Sequence, residues 1–66
     1  METIQIKTLT LNLDRSIQTT PQGKKIRYSG LQHVDQEWHY YFNFIGTNEF
    51  IIFIFNNNNF LRYETT

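Results

Sequence analysis

Phe50-Ile51-Ile52-Phe53-Ile54-Phe55 is the stretch that decides the fold. Every residue in it is β-branched or aromatic, and Glu49 and Asn56 bound it. A strand points successive side chains to opposite faces, so this segment carries large apolar groups on both. Both faces must therefore be covered. A chain of 66 residues has little material for that, which points to self-association.

Outward from this run the chain keeps a strand-forming composition. Aromatics make up 17% of it, and alanine is absent. Abundant Ile, Phe, Tyr and Thr favour sheet, and no segment repeats its apolar residues with a helical period. On the C-terminal side, Asn56 to Asn59 reads as a tight turn into a last strand from Phe60 to Glu64. On the N-terminal side, Gly46-Thr47-Asn48 reads as a turn from a strand over 38–45. Before that lies a strand over 24–34, with Asp35-Gln36-Glu37 as the intervening loop. The first strand spans roughly Thr3 to Leu13. A bulge at Lys7-Thr8 would keep Ile4, Ile6, Leu9, Leu11 and Leu13 on one side. Asp14 to Gly23 is polar, contains the only proline, and reads as a loop.

Three-residue loops at 35–37 and 46–48 put Val34 opposite Trp38, Tyr28 opposite Phe44, Phe42 opposite Ile52 and Tyr40 opposite Ile54. A four-residue asparagine turn puts Ile54 opposite Leu61 and Ile52 opposite Tyr63, and Leu11 and Leu9 fall opposite Ile26 and Tyr28. Trp38, Phe42, Phe44, Ile52 and Ile54 then share a core face. The expected fold is all-β: an antiparallel meander of about five strands in one domain over 1–66. It is curled into a small barrel or sandwich half, with no substantial helix. The opposite face carries Tyr41, Ile51, Phe53, Phe55 and Phe60 inside a polar rim. These five are the candidate interface, and a symmetric homodimer is the favoured assembly. The alternative within one chain is that the first strand folds back over this face.

The chemistry-bearing residues are few. There is no cysteine, so disulfides and thiolate metal sites are excluded. Six basic and six acidic residues cancel, which argues against broad attraction to nucleic acid or anionic membrane. No apolar run approaches a spanning helix and no signal peptide is visible, so the expectation is a cytoplasmic protein without membrane association. His33 and His39 bracket Asp35 and Glu37 and are weak metal candidates; a solvated hairpin end is the favoured explanation, and no metal or other cofactor is assigned. Lys24, Lys25, Arg27 and Arg62 would carry a nucleic-acid-binding barrel, the alternative reading. No Ser/His/acid spacing or glycine-rich phosphate loop is present, so no catalytic residue is assigned and no enzyme is expected. The leading expectation is a non-enzymatic, self-associating interaction module, an accessory or inhibitor protein that binds a larger protein. A small-ligand binder at an oligomer interface is a further alternative.

Overall fold

A computed structural model describes residues 2–66. The protein is all-β, with no helix among the described residues and hence none able to cross a membrane. Strands β1 (Thr3–Ile6) and β2 (Leu9–Asn12) form a hairpin of their own. Strands β3 (Ile17–Thr19), β4 (Lys25–Val34), β5 (Glu37–Phe44), β6 (Phe50–Asn56) and β7 (Asn59–Thr65) form an antiparallel meander in that order. The sheet stays open and does not close into a barrel: β3 and β7 are its edges.

The apolar phase slip at Lys7-Thr8 is a chain reversal, where the sequence suggested a bulge. Lys7 turns at φ 56°, Ile6 pairs with Leu9, and Ile4 pairs with Leu11. Directly opposed residues share a face, so a two-residue turn and a bulge leave the same apolar pattern. The consequence for packing is large. A single long strand would have joined the meander, whereas the hairpin lies on it as a second layer. Ile4, Ile6 and Leu11 pack with Ile26, Phe42, Phe53 and Phe55 in one buried cluster. The polar segment after β2 holds the hairpin in place, because Gln18 in β3 grips the backbone of Asn12. Its Nε2 donates to Asn12 O and its Oε1 accepts from Asn12 N, each at 2.9 Å.

Turn lengths set which side of β6 meets this layer. The β4–β5 turn has two residues, Asp35-Gln36, so His33 faces Trp38 and Val34 faces Glu37. A bulge at Ser29 then restores the expected phase, with Tyr28 opposite Phe42 and Ile26 opposite Phe44. The β5–β6 loop is one residue longer than expected. Phe44 donates its N–H to Glu49 O at 3.0 Å. Asn43 Nδ2 donates to the carbonyls of Thr47 (3.1 Å) and Glu49 (2.9 Å), and Gly46 takes φ 83°. Side-chain bonds of this kind satisfy the loop's own backbone, so the longer connection is stable.

The single-residue shift exchanges the faces of β6. Phe42 lies opposite Ile51, Tyr40 opposite Phe53, and Trp38 opposite Phe55. Ile51, Phe53 and Phe55 therefore face the hairpin, and Ile52 and Ile54 face the other side. The asparagine turn is also two residues long. Asn57 and Asn58 both have positive φ, at 51° and 66°, the signature of the tight turn that matches strand twist. A bulge at Leu61 then shifts the register by one, so that Phe53 faces Tyr63 and Ile54 faces Arg62.

Trp38 is the clearest departure from the expected core. It is 39% exposed and stacks on His33 at a centroid distance of 4.0 Å. It starts the alternating aromatic series at the far end of β5, beyond the cover that the short hairpin provides.

Candidate interaction surface

Each face of the meander has a different solution to covering β6. On the inner face, Phe53 and Phe55 are 6% and 7% exposed beneath the hairpin. Phe42 meets Phe53 edge-on, Tyr40 meets Phe55, and Phe60 closes on Phe55 at 5.6 Å. Ile51 and Phe60 are half-buried against the same cluster. Four of the five proposed interface residues thus lie together, but on the side that the chain covers itself. Tyr41 is on the opposite face, where its hydroxyl donates to Gln32 Oε1 at 2.9 Å.

On the outer face a polar layer closes over Ile54, which is fully buried between His39 and Arg62. Arg62 on β7 reaches across β6 to Glu37 on β5 with two bonds of 3.2 Å. Glu37 also contacts His39 Nε2 at 3.1 Å, and Arg62 Nε donates to Glu64 at the same distance. The bonds from Arg62, and then that from His39, hold the Glu37 carboxyl below the usual carboxylate range. Glu37 and Glu64 hold the Arg62 guanidinium firmly protonated. Alkyl stems beneath paired charges shield an aliphatic side chain without exposing the charges to an apolar medium.

The metal candidates are separated by this register. His33 shares a face with Trp38, while His39 points to the outer face beside Glu37. The two-residue turn at Asp35-Gln36 is the cause, since a three-residue loop would have placed them opposite each other. Among the described residues no three His, Asp or Glu side chains gather as a metal site. The basic candidates are also dispersed. Lys24 precedes β4, Lys25 begins it, and Arg27 stands exposed on it. Arg62 is three strands away in the ion-pair layer.

The surface that the sequence reading assigned to the core is the β7 edge. Tyr63 is 62% exposed and Leu61 46%. Beside them the hairpin fails to reach the sheet edge and leaves an apolar groove of about 380 Å³. Ile6, Leu9, Ile51, Phe53, Phe60 and Tyr63 line it, together with Lys7 and Pro21. Just past β7, Thr66 donates its N–H to Phe50 O at 3.1 Å. Bonding alternates along an antiparallel ladder, so Glu64 and Arg62 also turn their backbone groups to β6. Tyr63 and Thr65 turn theirs to the open edge. The other edge is better protected. There β3 covers Lys25 to Arg27, Arg15 donates to Ser29 O at 3.0 Å, and the Ser29 bulge disrupts the regular edge. A signal for the β7 surface was present in the alternation Leu61-Arg62-Tyr63-Glu64. Reading it required the bulge at Leu61, which shifts the β6–β7 register by one residue beyond the turn.

No family model, curated protein or solved structure matches the chain.

Proposed function

We propose that this protein is a non-enzymatic interaction module that self-associates through the open edge of β7. The observation that carries the reading is the coincidence of three features on one side. The edge has unpaired backbone groups at Tyr63 and Thr65, two exposed apolar side chains stand on the same strand, and an apolar groove lies next to it. A strand edge of this kind is a template for a further strand, and apolar neighbours add burial to the main-chain bonds. The role assigned by sequence to Phe53 and Phe55 passes to their strand neighbour, Tyr63, because the hairpin already satisfies the former pair.

Sedimentation equilibrium at micromolar concentration tests this. The expected mass is about twice the 8.0 kDa of the chain. Tyr63→Pro discriminates the edge from other surfaces. Its N–H points outward, so proline blocks strand addition without removing a β6–β7 bond. The variant should be a folded monomer. A wild-type monomer, or a Tyr63→Pro dimer, overturns the proposal.

A further inference from the structure

The charges on β7 specify how two copies meet. This inference rests on the self-association through β7 argued above and adds its geometry. The geometry points to an antiparallel β7–β7 contact with its two-fold axis at Tyr63, which joins two five-stranded sheets into one of ten strands.

Three independent features agree on that register. The first is hydrogen-bond parity. Tyr63 presents its N–H and C=O to the open edge, so two copies of Tyr63 related by a two-fold axis exchange both bonds. The same register sets Leu61 of one copy opposite Thr65 of the other, and the bulge at Leu61 leaves Arg62 to Thr65 regular. The second is charge. In this register Arg62 stands opposite the partner's Glu64, twice by symmetry. This is a non-hydrogen-bonded pair, the kind in which side chains come closest. Arg62 uses three of its five donors on Glu37 and Glu64 of its own chain, so two remain. A shift of two residues in either direction keeps the backbone parity but loses this reciprocal pairing. The third is the apolar side. Tyr63 and its symmetry mate lie side by side on the hairpin-bearing face. They extend the strip that runs from Phe53 to Tyr63, whose rings are 6.4 Å apart, and the contact covers the outer end of the groove.

The test uses charge reversal and mixing. Arg62→Glu alone sets two acidic residues opposite two others, and Glu64→Arg alone sets basic against basic. Each single variant should dimerise at least about tenfold more weakly than wild type, since like charges placed opposite are strongly disfavoured. An equimolar mixture of the two restores both pairs, because each copy supplies what the other lost. It should form a heterodimer within about threefold of wild-type affinity, a difference under 1 kcal/mol. Should Arg62→Glu unfold through loss of Glu37, cysteine cross-linking decides. The chain has no native cysteine. Tyr63→Cys should form an intermolecular disulfide under mild oxidation, because opposed residues at about 5.5 Å permit one. Leu61→Cys should not, because Leu61 meets Thr65 and not its own copy. Single variants that dimerise as wild type does, or cross-linking at Leu61→Cys in place of Tyr63→Cys, overturn the register while leaving β7 self-association standing. A monomeric wild-type chain removes both.

Discussion

The ring of Phe53 meets that of Phe42 edge-on, with centroids 5.5 Å apart and planes at 79°. This contact follows from the β5–β6 register, which turns Ile51, Phe53 and Phe55 towards the hairpin. It places Phe53 in the single-chain core, with Ile4, Ile6 and Leu11 above it. The pair also supplies the first measurable consequence of the fold.

Phe42→Ala and Phe53→Ala should each cost about 3–5 kcal/mol, the usual range for truncating a buried phenylalanine. Phe53→Glu should prevent folding, because it buries an unpaired carboxylate beneath the hairpin. Equilibrium urea denaturation checks all three. A Phe53→Glu protein that is folded and as stable as wild type would show that β6 presents Phe53 to solvent.

Trp38 offers the contrasting case. It is 39% exposed, with His33 stacked on it. Trp38→Ala should therefore cost clearly less than Phe42→Ala, at about 1–2 kcal/mol, since only part of its surface is removed from water. Its fluorescence should be open to acrylamide quenching in the native state. Native emission as protected as that of a buried indole would contradict the exposed position.

The outer-face ion pairs make stability depend on pH in a defined direction. Glu37 has its acidity strengthened in the folded state by Arg62 and His39. A carboxyl with a depressed folded-state value contributes stability that is present above the ordinary glutamate range. That contribution is lost as pH falls through the folded value. Glu37→Gln should therefore flatten the acid limb of the stability profile and leave the neutral region only slightly changed, as both partners are solvent-accessible. An unchanged acid limb would show that the layer over Ile54 contributes nothing through its charges.

The tight turn between β6 and β7 is open to improvement. Asn58 has φ 66°, a conformation in which glycine carries no Cβ penalty. Asn58→Gly should leave stability equal or raised by a few tenths of a kcal/mol. Asn58→Ala should lower it by about 1 kcal/mol. Thermal melts distinguish these, and an alanine variant as stable as the glycine variant would contradict the left-handed turn.

Zinc is expected to leave the melting temperature unchanged, because His33 and His39 stand on opposite faces. Any ligand held by the native state raises its stability. A zinc-dependent rise that disappears in His39→Ala would restore the paired-histidine site suggested by the sequence.

Alternation and composition were sufficient to specify strands over 24–34, 38–45, 49–56 and 60–64, each within a residue of its observed bounds, together with their antiparallel order and the absence of helix from these segments. These properties are local. They depend on a two-residue period and on the backbone freedom of Asn and Gly at turns. The pairing of faces was not local. It depends on whether each connection holds an odd or even number of residues and on where a bulge adds one. The β4–β5 turn was one residue shorter than the spacing suggested, and the Ser29 bulge compensated it. The β5–β6 loop was one residue longer, stabilised by Asn43, and nothing compensated it within β6. That residue moved Phe53 and Phe55 inward and Ile54 beneath Arg62. Likewise, the slip at Lys7-Thr8 has the same apolar pattern as a bulge or as a turn. Only packing distinguishes them, because the hairpin alone supplies a second layer for Phe42 and Phe53. Tyr63 kept the hairpin-bearing face, because the Leu61 bulge offset the inverted face of β6, and it is exposed because β7 is an edge strand beyond the hairpin's cover. A strand's period is a property of its own residues, but the side it buries is decided by the partner across the loop.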